Sequence, residues 1–152
     1  MDKEQISHES LTITDGSEDT AKYILQRIRE YNVEQAPGDG PLAQEAVYLV
    51  LRDNQGQVAG GINATLNLYW GRCHVDIFWI EERFRHGGHG SRLLQAVERR
   101  AKEKGCKVIQ LDTFSFQAPD FYRKNGYELF GTLEGFPQGH SQYFFKKWLT
   151  EK

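Results

Sequence analysis

The sequence predicts a mixed α/β domain with the element order β-α-β-β-β-α-β-α-β-β, and three patterns lead to this prediction. First, three runs of strand type follow one another with connections too short for crossovers, which predicts an antiparallel meander. Second, a glycine-rich turn leads from the third run into an amphipathic helix. Third, a buried strand after this helix can lie parallel to the strand before the turn, so we expect a mixed sheet.

The first two predicted elements precede a loop rich in proline and glycine. Residues 11–14 alternate apolar and polar side chains as a short strand does. Apolar residues then recur at helical spacing and predict a helix that ends at about Val33, with Ser17 or Asp19 available as its N-cap. Residues 36–41 break this helix and are predicted to form the most mobile loop of the chain.

The later elements are separated by turn and helix-stop signals. Gly105 and Gly126 are typical of helix C-termini, and Pro119 suits the first turn of a short helix. In chain order the predicted elements are strands at 47–52, 58–70 and 73–80, a helix at 91–104, a strand at 108–113, a short helix at about 119–125, and strands at 127–133 and 142–148.

Length and composition limit the class of protein. A chain of 152 residues is predicted to form one domain, residues 1–152, that buries about two thirds of its unfolded surface. The net charge of -2 disfavours sequence-independent binding to the phosphates of nucleic acid or to acidic lipid. Cys73 and Cys106 are too few for a disulfide framework, and neither a signal peptide nor a membrane span is recognisable. We therefore expect a cytoplasmic protein without a membrane partner.

The glycine-rich turn predicts a binding site for a pyrophosphate. At a strand-to-helix junction the first helical N–H groups lack partners and the helix dipole favours an anion. Glycine lets the backbone approach the phosphate closely, and the arginine adds a forked cationic donor. The spacing of the glycines in this turn matches neither a nucleotide triphosphate loop nor a dinucleotide fingerprint. The alternative to a phosphate site is that the turn only connects the strand flexibly to the helix. The residues are Arg85, His86, Gly87, Gly88, His89 and Gly90.

Two motifs resemble those of the GNAT superfamily of N-acetyltransferases. The turn has the spacing R-x-x-G-x-G, and residues 118–127 follow the pattern A-x-x-[FL]-Y-x-x-x-G-[FY]. The resemblance extends over roughly residues 46–127 and implies a sheet whose two central parallel strands splay apart. It also implies an enzyme that transfers an acetyl group from acetyl-CoA, without a metal, to a primary amine of a small molecule in a ternary complex. The alternatives are a non-catalytic sensor or scaffold that binds acyl-CoA, and an acetyltransferase acting on a protein amine.

The resemblance also implies which residues hold the coenzyme. The backbone of Phe78, Trp79 and Ile80 would contact the pantetheine arm, and the amides from His86 to Ser91 would take the pyrophosphate. Ser115 stands where many relatives have an asparagine that contacts the coenzyme. For the side chains of Phe78 and Trp79, packing in the core is an equal alternative.

The resemblance implies Tyr122 as the general acid that protonates the departing thiolate, with packing of its ring beneath the sheet as the alternative. For the general base we rank Asp76 before His74, which share a face of their strand, and leave deprotonation by solvent open. Other carboxylates near the predicted cleft are Glu81, Glu82 and Asp112.

The sequence also bears on metals, the acceptor site and the oligomeric state. His86, His89 and His140 do not have the spacing of a zinc site, so we expect no metal. Residues 35–42 and 136–140 are expected to border the acceptor site, since the resemblance places them beside the cleft. The oligomeric state stays open, and the last two strands leave a homodimer as one option.

Overall fold

A six-stranded mixed sheet and three helices make up the structure, a computed structural model that describes residues 9–150. The chain divides into two compact units, one up to Pro37 and one from Gly38 onward. The first unit contains helix α1, Glu18–Gln35. Ser17 is its N-cap, as predicted, because the Ser17 Oγ accepts a hydrogen bond from the Thr20 N–H at 3.2 Å.

The strand predicted at residues 11–14 is wrong. These residues have no regular structure, and the side chains of Leu11 and Ile13 are 87% and 102% exposed. An alternating pattern produces a strand only where a neighbouring strand completes the ladder, and within residues 9–150 no strand pairs with this segment. None of the residues of α1 is buried either.

The second unit holds the sheet. Its order is β1-β2-β3-β4-β6-β5, in which β3 and β4 are parallel and all other neighbours are antiparallel. This arrangement confirms the mixed sheet and the meander. The elements are β1 Gln44–Arg52, β2 Val58–Asn67, β3 Arg72–Ile80, α2 His89–Glu103, β4 Val108–Phe114, α3 Pro119–Lys124, β5 Glu128–Glu134 and β6 Ser141–Trp148. No described helix combines the length and the apolar character that crossing a membrane requires.

Several element boundaries differ from the prediction by one to three residues, and β1, for example, begins at Gln44 rather than at Val47. Strand β2 ends at Asn67 rather than Trp70, because the Asn67 carbonyl and side chain accept hydrogen bonds from the N–H groups of Gly71 and Trp70 and form a turn. Helix α2 begins at His89, two residues earlier than predicted, and its N-cap is Gly88. A 3-10 turn at Glu82–Phe84, absent from the prediction, precedes the glycine loop.

Helix α2 covers one face of the sheet and closes the core there. Its side chains Leu94 and Val97 are fully buried, as are Ile62 of β2 and Phe145 of β6. Alternate residues of each strand point away from α2, because side chains in a strand alternate with period two. We call this second surface the distal face of the sheet.

The two parallel strands pair over only three residues and then separate. The pairs are Arg72–Val108, Cys73–Ile109 and His74–Gln110, although both strands continue for several residues. Just beyond the last pair, the register of β2 with β3 shifts at Asn63 and Ala64, which leaves Asp76 unmatched. Such a bulge bends its strand away from its neighbour. The splayed central strands are thereby confirmed.

Candidate active site

The glycine loop presents a row of backbone donors. His86 and Gly88 adopt left-handed backbone angles, with φ of 67° and 83°, which turn the chain sharply before α2. Among residues 9–150, no acceptor receives a hydrogen bond from the backbone N–H groups between His86 and Ser91. These donors and the positive end of the α2 dipole converge at one place. The loop therefore has the chemistry that a pyrophosphate requires.

Arg85 and Gly90 fix this loop to its neighbours. The Arg85 Nε donates a hydrogen bond to the Ile80 carbonyl at 2.9 Å, so the side chain ties the loop to the end of β3. The other guanidinium nitrogens of Arg85 form no hydrogen bond within the described chain. A Cβ on Gly90 would lie 3.1 Å from the Phe121 Cζ, so glycine allows α3 to approach the start of α2.

The backbone of β3 beyond His74 faces the gap left by β4. On that side it has no strand partner among the described residues, as expected for groups that would contact a pantetheine arm. The Phe78 side chain packs against the rings of Phe121 and Tyr122, with centroids 5.7 and 6.4 Å apart. The Trp79 side chain is 48% exposed. Core packing therefore describes Phe78 and not Trp79.

Ser115 follows the end of β4 and contacts the first residue of β6. Its N–H donates to the Ser141 carbonyl at 2.8 Å, and its Oγ accepts from the Ser141 N–H at 3.1 Å. The hydroxyl retains a proton that can be donated elsewhere.

Tyr122 lies on the short helix α3 with its ring enclosed by aromatic neighbours. The side chain is 7% exposed and packs beside Phe78, Phe121, Tyr127 and Phe145. Its hydroxyl bonds to no described residue, and no fully buried polar side-chain atom in residues 9–150 lacks a partner. The hydroxyl therefore reaches accessible space. Burial, with the charge of Asp112 as a smaller cause, raises the pKa of Tyr122 to about 12.

The two candidate bases meet on the distal face. The His74 Nδ1 lies 2.9 Å from the Asp76 Oδ1, and the Thr65 Oγ1 donates a hydrogen bond to the Asp76 Oδ2 at 2.7 Å. Thr65 lies directly opposite His74 in the β2–β3 ladder. A carboxylate at Nδ1 favours the tautomer with its proton on Nδ1, which leaves Nε2 as a proton acceptor. The side chains of His74 and Asp76 are 37% and 42% exposed, so Nε2 is accessible.

The remaining candidates are dispersed. Asp112 lies on the distal face of β4, where its Oδ2 accepts a hydrogen bond from the Gln142 Nε2 at 2.7 Å. Glu81 pairs with Arg83 at 3.1 Å. In the described part of the chain, no three His, Cys, Asp or Glu side chains converge on a point that could hold a metal.

One buried polar cluster was not predicted. The Glu98 carboxylate of α2 accepts hydrogen bonds from the Lys147 Nζ at 2.7 Å and the Tyr127 hydroxyl at 3.3 Å. Lys147 also donates to the Asn125 carbonyl at 3.0 Å, at the end of α3. Glu98 falls on the buried side of α2 by helical periodicity, which is the one signal the sequence carries for this cluster.

Comparison with known proteins agrees with this geometry. A profile described as the Acetyltransferase (GNAT) family matches residues 13–127. The chain is 36% identical over 108 residues to the blasticidin-S acetyltransferase of Streptomyces morookaense, a match that covers 70% of this chain and 76% of the relative. It is 41% identical to an acetyltransferase from Bacillus cereus ATCC 14579, with a TM-score of 0.81 over 91% of this chain and 97% of that chain.

A more distant structure has the same fold. It is an aminoglycoside 6'-N-acetyltransferase complexed with coenzyme A, with a TM-score of 0.61 and 18% identity over 71% of this chain and 75% of that chain. Taken with the profile match and the two nearer relatives, the fold and the site define the class of protein. The chain belongs to the acetyltransferase (GNAT) family and is an acyltransferase.

Proposed function

We propose that this protein transfers the acetyl group of acetyl-CoA directly to a primary amine of a small molecule, with both substrates bound together. The observation that carries the proposal is the row of unpaired backbone donors from His86 to Ser91, placed beside the gap between β3 and β4. Tyr122 packs against Phe78 in the unpaired part of β3, and His74 is the last residue of β3 that pairs with β4. Relatives named for blasticidin S and aminoglycosides support a small-molecule acceptor.

The residues at this place fit acetyl-CoA as the co-substrate. The amides from His86 to Ser91 and the free guanidinium nitrogens of Arg85 would hold the pyrophosphate. The unpaired edge of β3 at Phe78 and Trp79 would hold the pantetheine arm, with Ser115 as a further donor. Acetyl-CoA supplies the acetyl group as a reactive thioester.

The chain's own residues perform the proton transfers. His74, oriented by Asp76, accepts the proton of the acceptor ammonium group at Nε2, so that the neutral amine nitrogen can form the new C–N bond. Tyr122 donates its hydroxyl proton to the thiolate released when the C–S bond breaks, and it recovers a proton from solvent. The amide nitrogen loses its second proton to solvent, which balances the transfer.

An acceptor screen tests the proposal. Release of free thiol from acetyl-CoA is followed with spermidine, lysine, blasticidin S, an aminoglycoside and a lysine-containing peptide, and calorimetry measures coenzyme A binding. We expect micromolar binding of coenzyme A, about -8 kcal/mol, and thiol release with at least one small amine. Binding without thiol release from any acceptor would indicate a sensor or scaffold, and release with the peptide alone would indicate a protein amine.

A further inference from the structure

Four aromatic side chains form an exposed cluster beside the proposed site, and none of them has a role in the mechanism above. Phe114 and Phe116 stack with ring centroids 5.4 Å apart and planes 3° apart. Phe136 lies 6.1 Å from Phe114, and the His140 ring meets the Phe116 ring edge-on at 4.9 Å. We call these four side chains the aromatic platform. The side chains of Phe116 and Phe136 are 57% and 51% exposed, so both rings have surface available to a ligand.

The platform is built on two segments that are held together. Phe114 and Phe116 flank the end of β4, whereas Phe136 and His140 belong to the turn between β5 and β6. The two backbone and side-chain hydrogen bonds between Ser115 and Ser141 join these segments. The rings therefore have a fixed mutual arrangement, as a preformed binding surface requires.

The platform continues the proposed acceptor site. Phe114 lies two residues after Asp112 in β4, so both side chains point to the distal face. His74 pairs with Gln110 of the same strand and shares that face with Asp76. Phe114 and the candidate base thus lie on one surface, on the two sides of the gap between β3 and β4, and the other rings of the platform adjoin Phe114.

The charges of this surface select the kind of ligand. Asp76 and Asp112 form no ion pair with a lysine or arginine of residues 9–150; Asp76 is bonded to His74 and Thr65, and Asp112 to Gln142. Two carboxylates without a cationic partner favour a cationic ligand. Aromatic rings favour a planar ring stacked on them.

We propose that the aromatic platform binds a planar aromatic or heteroaromatic ring of the acceptor, and that the acceptor is a cationic amine carrying such a ring. This inference rests on the proposed function. The ring stacks on the exposed surface of Phe116, while the ammonium group lies toward Asp112, Asp76 and His74. The platform is a specificity determinant, and the proton transfers do not involve it.

A matched pair of amines tests the inference. 2-Phenylethylamine and 2-cyclohexylethylamine have the same charge and carbon skeleton and differ in the aromaticity of the ring. For the native protein we expect kcat/KM to be about threefold to tenfold higher for the aromatic amine, the range given by one ring contact. In Phe116→Leu the two kcat/KM values should become equal, because the KM of the aromatic amine rises. Tyr48→Leu, which removes an exposed ring from β1, should keep the preference.

The outcomes separate this inference from the proposed function. If no amine releases thiol, the proposed function fails, and calorimetry of the two amines with the coenzyme A complex then tests the platform alone. Equal affinity of the two amines, or a preference that survives Phe116→Leu, would overturn the platform. A dimer that sedimentation detects for the native protein and not for Phe116→Leu would show that a second copy of the chain covers these rings, which would also overturn it.

Discussion

At the scale of single residues, the Tyr122 hydroxyl is the group whose removal tests the proposed proton donor most directly. We expect Tyr122→Phe to lower kcat by about 10²-fold or more, because phenylalanine has no proton to donate to the departing thiolate. Calorimetry should find coenzyme A affinity unchanged, since the ring and its packing remain. An unchanged kcat would exclude Tyr122 as the acid.

The pair of His74 and Asp76 makes a second prediction at this scale. Asp76→Asn keeps the shape of the side chain but removes the charge that holds the Nδ1 proton, so we expect kcat/KM to fall at least about tenfold. Thr65→Val should lower kcat/KM less than Asp76→Asn does. Thr65→Ser should keep the native kcat/KM, because serine retains the hydroxyl that donates to Asp76. A rate that is the same in Asp76→Asn and the native protein would favour deprotonation by solvent.

The role of His74 as the base makes a third prediction at this scale. We expect His74→Gln to lower kcat/KM at least about tenfold, because glutamine cannot accept the proton of the acceptor ammonium group. Tyr122, with its pKa raised to about 12, stays protonated at neutral pH and should cause no loss of activity there. A kcat/KM that is the same in His74→Gln and the native protein would contradict the assignment.

At the scale of elements, the glycine loop before α2 can be tested with a matched pair of glycines. Gly88 and Gly56 have φ of 83° and 78°, and an added Cβ meets no atom within 4 Å at either position. Gly88→Ala and Gly56→Ala should therefore each lose about 1 kcal/mol of stability through backbone strain. Only Gly88→Ala should weaken coenzyme A binding, by about tenfold, because strain there displaces the donors. Equal coenzyme A affinities in the two variants would show that the glycine loop does not hold the coenzyme.

The bulge in β3 acts at the same scale. It lies at Asp76, shortly after the last residue of β3 that pairs with β4, and bulges of this kind bend a strand. The irregularity thus coincides both with the start of the gap and with the hydrogen-bonded pair of His74 and Asp76. The alternation of side chains along β3 predicts the shared face of the two residues but contains no signal for the bulge itself.

At the scale of the whole molecule, the Glu98 and Lys147 pair joins α2, the end of α3 and β6. The side chain of Glu98 is 10% exposed and that of Lys147 is 32% exposed. Lys147→Ala leaves a buried carboxylate without its cation, so we expect denaturant unfolding to show a loss of about 3 kcal/mol. The triple variant Glu98→Leu, Tyr127→Phe and Lys147→Met, which also removes the hydroxyl that donates to Glu98, should recover most of this loss. A triple variant as unstable as Lys147→Ala would show that packing, and not the unpaired charge, is responsible.

Two buried tyrosines, together with the buried thiols of Cys73 and Cys106, lower the stability of the molecule at high pH. Burial raises the pKa of Tyr122 and of Tyr127 above the usual value of 10.0. Above that pH the unfolded chain releases these protons while the folded chain keeps them, so the free energy of unfolding falls as the pH rises. The slope is at most about 1.4 kcal/mol per pH unit for each phenol.

Denaturant unfolding between about pH 9 and about pH 11 measures this slope. Tyr122→Phe should have a shallower slope than the native protein, whereas Tyr48→Phe, at a site 75% exposed, should not change it. Equal slopes in all three proteins would contradict the effect of burial on these groups.

The sequence by itself determined the class of fold and the location of the glycine loop. Helical and strand periodicity, glycine stops and short connections are local signals, so they predicted the meander, α2 and the parallel strand β4. The spacing of residues 85–90 and 118–127 indicated the family, which the profile match confirms. The assignments of Tyr122, Asp76 and His74 remain predictions, and the experiments above test them.

Tertiary structure alone decided the rest, because those features depend on contacts between residues far apart in the chain. The segment 11–14 has a strand pattern but no ladder partner in the described chain, and the bulge at Asp76 arises from the register between two strands. Thr65 meets Asp76, Glu98 meets Lys147, and the aromatic platform forms only when the end of β4 and the β5–β6 turn come together. These contacts depend on which strands pair and in which register. Local sequence patterns do not contain that information, because the paired residues lie far apart in the chain.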